Sequence, residues 1–287
     1  MRILLTGARG MLGTDIALRL GNLDMDFFGI DRDELDITDE QAVFDFFSSN
    51  RPDAVIHCAA YTAVDKAESE RDIALKVNAG ATGFLARAAA SADAKIMYIS
   101  TDYVFDGMSD IPYETHDDCN PINWYGYTKH KGEEAVRINT NRHFIVRISW
   151  LFGHNGNNFV KTMMKLAAVR ESIDVVNDQF GSPTFTEDLA ILLCDMIMTE
   201  KYGIYHATNE GFCSWADFAQ QIMELTGSTC KINPITTEMY PTKTVRPKNS
   251  MLSRAKLDHS GFTRLPEWED ALGRYLTGCN LAQPARN

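Results

Sequence analysis

Several features are scarce in this chain, and each scarcity excludes a class of protein. No stretch is apolar enough to span a bilayer as a helix, so a membrane-embedded protein is not expected. Basic charge is short: 28 Lys and Arg stand against 39 Asp and Glu, a net charge of -11. That balance argues against non-specific binding to nucleic acid or a membrane surface. An anionic ligand would have to be held by local Arg, Lys and helix N-termini. The six cysteines (Cys58, Cys119, Cys194, Cys213, Cys230 and Cys279) have no metal-knuckle or redox-pair spacing. They are read as reduced. No internal repeat or low-complexity tract occurs. The start, "MRILLTGARG", runs from a short apolar segment into glycines, so no secretory signal is expected and a cytoplasmic setting is.

What is present is a rhythm. The 287 residues suffice for one large α/β domain or two modest ones. Short apolar runs, "RILLT", "DFFGID", "DAVIHCAA", "KIMYIST" and "HFIVRISW", read as strands. Between them, "MLGTDIALRL", "DEQAVFDFFSSN", "RDIALKVNAGATGFLARAAASA" and the segment around Tyr125 read as helices. Continuous apolar strands alternating with helices predict an α/β fold: a Rossmann-type, doubly wound parallel sheet covered on both faces. After Trp150 the alternation loosens. "NFVKTMMKLAAV" and "TEDLAILLCDMIM" predict helices, and "GIYHATN" a strand able to rejoin the sheet. "SWADFAQQIMELTG" predicts a helix capped by Ser214 and stopped at Gly227. Residues 1–153 are expected to form a dinucleotide-binding domain, with 183–209 returning to it. Residues 154–182 and 210–287 are expected to form a smaller mixed α/β substrate lobe.

"TGARGMLG" sets Gly7, Gly10 and Gly13 between a strand and a helix. In a dinucleotide-binding turn the first glycine allows the tight bend, the second lets a pyrophosphate approach, and the third lets helix and strand pack closely. Free N–H groups at the helix start then face phosphate. Asp31 lies roughly 20 residues beyond, where a carboxylate accepts from ribose hydroxyls and favours NADH. Arg32 and Arg9 could instead hold a 2′-phosphate and favour NADPH. The residues point both ways, toward NADH with NADPH tolerated.

"NWYGYTKHKGEEA" contains two overlapping Tyr-x-x-x-Lys pairs, Tyr125 with Lys129 and Tyr127 with Lys131. On a helix, Tyr125, Thr128, Lys129, Gly132 and Val136 share one stripe, small and apolar, expected to face the sheet. Tyr127, His130, Lys131 and Glu134 form a polar stripe, expected to face solvent. The first pair is therefore assigned to chemistry. Ser100 and Thr101 end a strand, where ligands sit in open α/β sheets. The expected reaction is hydride transfer to a carbonyl, with Tyr125 as proton donor, Lys129 lowering its pKa, and Thr101 orienting the carbonyl.

These segments, with "HCAAYTAVDKAE", "VVNDQFGSPT" and "VRPKNSML", resemble the extended short-chain dehydrogenase/reductase superfamily. The closer resemblance, along nearly the whole chain, is to the dTDP-4-dehydrorhamnose reductases. It implies Thr101, Tyr125 and Lys129 as catalytic residues and NADH or NADPH as cofactor. It implies cofactor contacts at Gly7, Gly10, Met11, Leu12, Asp36, Ile37, Ala59, Ala60, Tyr61 and Asn78. It implies contacts to a dTDP-sugar from Asp102, Tyr103, Val104, Phe105, Trp150 and Arg246. Read locally, Trp150 would also serve as core packing and Arg246 as a solvated loop residue. The related 4,6-dehydratases carry Thr-Asp-Glu where this chain has Thr101-Asp102-Tyr103, so elimination is not expected. The resemblance brings in Mg2+ at a dimer contact for some relatives, but no residue is assigned to a metal. A monomer or a homodimer fits. Two other readings of the same fold are an epimerase or reductase of another keto-sugar nucleotide, and a cofactor-binding regulatory subunit of methionine adenosyltransferase.

Overall fold

The computed structural model describes residues 1–240 and 242–281; Pro241 and the end of the expected C-terminal lobe, 282–287, lie outside the described residues. Its strands are β1 (Arg2–Thr6), β2 (Asp26–Ile30), β3 (Ala54–His57), β4 (Lys95–Thr101), β5 (His143–Ile148), β6 (Leu151–Phe152), β7 (Ser172–Val176), β8 (Phe180–Gly181), β9 (Thr184–Phe185), β10 (Gly203–His206), β11 (Cys213–Ser214) and β12 (Lys231–Ile235). Its α-helices are α1 (Met11–Asn22), α2 (Glu40–Asn50), α3 (Val64–Ala67), α4 (Arg71–Leu75), α5 (Thr82–Ser91), α6 (Trp124–Asn139), α7 (Phe159–Ala167), α8 (Thr186–Ile197), α9 (Trp215–Thr226), α10 (Ala255–His259) and α11 (Trp268–Leu281).

The central sheet has the order β2-β1-β3-β4-β5-β10, and every pairing in it is parallel. Strand alternation explains why both faces are covered. Ile3, Leu5, Ala54, Ile56, Met97, Ile99, Phe144 and Val146 point to one side, where α1 and α8 supply Ile16, Leu20, Leu189 and Leu193. The intervening Leu4, Val55, Ile96, Tyr98 and Ile145 point to the other, against Phe47, Leu85, Ala89 and Val136. The chain leaves β1 toward β2 on one side and returns to β3 on the other. The C-terminal edge between β1 and β3 is thus the switch point, where ligands bind in such sheets.

A second core gathers Phe152, Val160, Ile173, Phe185, Phe218, Trp268 and Tyr275. Its parallel pair β7–β12 was not read from the sequence. The two strands are far apart in the chain, and Pro234 lies inside β12, a composition that speaks against a strand. Ser214 and Asp217 form a capping box at α9, and Gly227 ends it in the left-handed conformation.

The expected single helix over 71–92 is not continuous. Lys76–Ala81 forms a π-helical segment between α4 and α5. The buried Asn78 in it donates through Nδ2 to the Tyr61 carbonyl, 3.1 Å, and to Thr128 Oγ1, 3.0 Å, while Oδ1 accepts from the Tyr61 N–H at 2.8 Å. The wider turn coincides with a residue that ties a loop to α6.

Candidate active site

The glycine turn is built by close approach. Gly7 has φ +68°, and a Cβ there would lie 2.7 Å from the Ala59 nitrogen. A Cβ on Gly13 would lie 2.0 Å from the Gly7 carbonyl oxygen. Only glycine lets α1 dock against β1 and the loop after β3 this tightly. That loop explains why β3 stops at His57: Cys58–Ala60 leave the ladder to meet the turn.

A cavity of about 860 Å3 opens above the turn. Gly7, Gly10, Met11, Leu12 and Gly13 form its floor, and Ala59 and Ala60 one wall. Asp31, Arg32, Asp36 and Ile37 line one end. Ser100, Thr101, Asp102, Tyr125, Lys129 and Trp150 line the other. Residues from β1, β2, β4, β5, α6 and the loop after β3 therefore meet across the sheet's switch point. Tyr127 and Lys131 are not on the wall.

Helix α6 starts where it does because Asn123 caps it, accepting from the Gly126 N–H at 2.8 Å. The cap puts Tyr125 in the first turn and Lys129 one turn later. Thr128, Lys129, Gly132 and Val136 are buried as expected. The polar stripe is only half exposed, contrary to expectation. Tyr127 stacks on Trp124, centroids 4.8 Å apart, and His130 and Glu134 line a second cavity.

The electrostatics also differ from expectation in one respect. Lys129 is 2 % exposed, and its Nζ donates to the Ile99 carbonyl at 2.6 Å and lies 4.0 Å from the Tyr98 ring centroid. Burial pushes the ammonium down to about 7. The Tyr125 phenol is not lowered. Burial first, then the Asp102 carboxylate, holds it above its ordinary value, and a hydrogen bond with Thr101 acts the other way. An ammonium committed to a backbone carbonyl and an aromatic face, and itself easily neutralised, does little for a phenolate. Asp102 is buried, and desolvation moves its carboxyl up to about 6. Thr101 Oγ1 donates to Asp102 Oδ1 at 2.8 Å, leaving Oδ2 without a partner.

Trp150 adopts φ +47°, a strained conformation for a bulky residue. One face stacks on Trp215 at 3.6 Å, and the ring lines the cavity. Tyr103 meets Tyr125 edge to face at 5.8 Å, just behind the wall. Other expected contacts stand apart. Val104 and Phe105 are wholly buried, and Phe105 stacks on Tyr113 at 4.2 Å, so their side chains pack the core. Arg246 pairs with Asp65 at 3.7 Å away from the wall. Tyr61 donates from its hydroxyl to Glu70, and Asn78 is spent on the bracing bonds above. Ser100 reaches the wall, but its hydroxyl donates to Glu133 at 2.6 Å. The cavity also contains Cys58, Ile73, Lys76 and Val77, which the sequence reading passed over. Lys76 is the first residue of the π segment, and only the fold brings it near Asp36.

The parallel sheet, the glycine turn at its switch point, and a Tyr-x-x-x-Lys helix beside a strand-end threonine define a short-chain dehydrogenase/reductase-type architecture. The chain belongs to the family described as RmlD substrate binding domain, whose model matches residues 1–280. It is 40% identical to the dTDP-4-dehydrorhamnose reductase of Aggregatibacter actinomycetemcomitans, covering 94% of this chain and 97% of that one. A crystal structure of a dTDP-4-dehydrorhamnose reductase from Clostridium acetobutylicum superposes with a TM-score of 0.96 at 44% identity, over 98% of this chain and all of that one. The Bacillus anthracis dTDP-4-dehydrorhamnose reductase, solved in complex with NADP, gives 0.94 at 42% identity, over 96% and 99%.

Proposed function

We propose that this chain reduces the C4 ketone of dTDP-4-dehydro-L-rhamnose to give dTDP-L-rhamnose, with NADPH or NADH as reductant. The observation that carries the reading is convergence: Tyr125, Lys129 and Thr101 line one cavity with the glycine turn, and the competing Tyr127 does not.

The residues present fit a dinucleotide. The cradle leaves no room for a Cβ at Gly7 or Gly13, and the first turn of α1 presents its N–H groups to the cavity. Asp31 accepts the Arg9 N–H at 2.8 Å, and the Arg9 guanidinium is also held by Asp31, Asp33 and Glu34, each at 3.2 Å. Arg9 is thereby engaged, while Arg32 and Lys76 line the wall with positive charge suited to a 2′-phosphate. A reduced nicotinamide supplies the hydride when bound. Tyr125 donates its proton to the carbonyl oxygen, and the raised pKa of the phenol keeps that proton in place at neutral pH. The Thr101 hydroxyl, turned from Asp102 Oδ1 to the substrate, orients the carbonyl. Lys129 holds the cofactor ribose and, in its charged fraction, favours the developing oxyanion. The Asp102 carboxylate and the Trp150 ring take the sugar. The 1–153 and 183–209 segments hold the cofactor, and the described residues of the lobe, within 154–182, 210–240 and 242–281, take the nucleotide.

The test is direct. Purified protein mixed with dTDP-4-dehydro-L-rhamnose and NADPH or NADH should oxidise the nicotinamide and yield dTDP-L-rhamnose. Cofactor binding without oxidation, with both nucleotides, would overturn the reading.

A further inference from the structure

Helix α6 serves two cavities. Its Tyr125 and Lys129 face the one above the glycine turn; His130 and Glu134 face a second, of about 530 Å3, also lined by Cys119 and Arg147. The loop before α6 places the Cys119 sulfur 3.2 Å from Nη2 of Arg147. One side-chain atom each of Cys119, His130 and Glu133 lies within 4.8 Å of the others. By donor type the trio would suit a transition metal. Arg147, however, already occupies the cation's place. It donates to both Glu133 oxygens, at 2.9 and 2.8 Å, as well as meeting the sulfur. The geometry therefore points to the chemistry of the sulfur itself.

Cationic neighbours and access distinguish reactive cysteines from inert ones. Cys119 is half-buried on a cavity wall that also carries Arg147 and His130 as cations and Asp117, Asp118 and Glu134 as carboxylates, with Glu134 3.2 Å from His130 Nε2. Hydrogen bonding with Cys119 first, then Glu133, raises His130 to about 9, so the ring is charged at neutral pH. Cys194, Cys213 and Cys230 are buried, and burial lifts Cys58 to about 12. Cys279 is also half-buried, but its neighbour is His154, at 3.7 Å, and among the described residues no guanidinium is hydrogen-bonded to it.

We propose that Cys119 is a peroxide-reactive thiol whose oxidation is communicated to the active-site cavity through Arg147, Glu133 and Ser100. The Cys119 thiolate attacks one oxygen of hydrogen peroxide. The S–O bond forms and the O–O bond breaks. The second oxygen leaves as hydroxide, which the His130 imidazolium protonates to water. Sulfur is oxidised by two electrons to the sulfenic acid as the peroxide is reduced. The added oxygen crowds Arg147, which bridges the sulfur to both Glu133 oxygens, and His130, which also neighbours Cys119 and Glu133. Glu133 in turn holds the Ser100 hydroxyl beside Thr101 and sits one turn beyond Lys129.

The experiment treats the full chain with graded hydrogen peroxide and dimedone, which traps sulfenic acid, and maps all six cysteines by mass spectrometry. Nicotinamide oxidation is measured in parallel. Cys119 should be trapped at least tenfold faster than any other cysteine. Without dimedone, activity should fall in step with its oxidation, and dithiothreitol should restore it, removing the sulfenic oxygen as water and becoming a disulfide. Cys119→Ser should resist peroxide inactivation; should that variant not fold, the wild-type dose response decides alone. Earlier trapping at Cys279, or full activity with Cys119 oxidised, would overturn the proposal. So would stoichiometric Zn2+ uptake in dialysis that protects Cys119. The trapping does not depend on the substrate being the keto sugar, so its failure is distinguishable from failure of the proposed reduction.

Discussion

Tyr125 and Tyr127 are two positions apart, yet one ring lines the main cavity and the other stacks on Trp124. A proton donor in the transition state contributes roughly 10²- to 10⁴-fold. Tyr125→Phe should therefore lower kcat by about that factor while the protein still binds NADPH. Tyr127→Phe should remain within about twofold of wild type, since only a hydroxyl off the cavity wall is lost and the ring stacked on Trp124 is kept. Steady-state kinetics on both variants checks the pair, and comparable losses would remove the assignment. The side-chain pattern of α6 was enough to tell which of the two tyrosines lines the cavity. It was not enough to foresee the charge state. The spacing suggests that Lys129 lowers the Tyr125 pKa, but the pKa is raised, because burial and Asp102 act on the phenol more strongly.

At the scale of the element, α1 and its glycine turn are most constrained. Gly13→Ala would place a methyl 2.0 Å from the Gly7 carbonyl oxygen, so helix or strand must shift. Overpacking of this kind costs about 1–3 kcal/mol. A lowered Tm together with weaker NADPH binding is expected, read by thermal melting and fluorescence titration. Gly21→Ala near the other end of α1 is the control. Nothing lies within 4 Å of its Cβ position, so it should be neutral or stabilise by about 0.4–1 kcal/mol. Equal destabilisation by both would refute the close-packing account. The strands and long helices were legible because their apolar periodicity is strong and local. The π segment at Lys76–Ala81 was not, because Asn78 and Gly80 weaken a helix without signalling a widened turn. Its distortion accompanies the bonds Asn78 makes to Tyr61 and Thr128, residues distant in sequence.

Across the molecule, a buried ion pair links α6 to β5. Glu133 and Arg147 are 2 % and 3 % exposed and hydrogen-bonded through both oxygens. Burial, the largest single influence, would raise the Glu133 carboxyl, but Arg147, His130 and Ser100 together outweigh it and lower the carboxyl from 4.5 to about 2. A depressed carboxyl contributes stability that is full above its unfolded value and lost as pH falls through the folded one. Urea unfolding should show this contribution disappearing between pH 4.5 and about 2. Asp102 has the opposite sign: its raised carboxyl favours folding at low pH, an advantage lost as pH rises from 3.8 through about 6. The wild-type curve mixes both, so Glu133→Gln isolates the first. It should be less stable at neutral pH by about 3–5 kcal/mol, since a buried guanidinium loses its partner. It should also lose less stability than wild type on acidification. An unchanged acid slope would show the pair to be uncoupled from stability.

The chain's own order of residues determined the parallel α/β sheet, the glycine turn and the helix carrying Tyr125 and Lys129. These follow from periodicity, strand length and turn chemistry acting over about a dozen residues. Tertiary structure alone decided which side chains share a cavity. It turned Phe105 and Val104 into core, drew Lys76 to the wall near Asp36, strained Trp150 onto Trp215, and set Cys119 against Arg147. Each of these depends on packing between segments far apart in sequence, which no local pattern encodes.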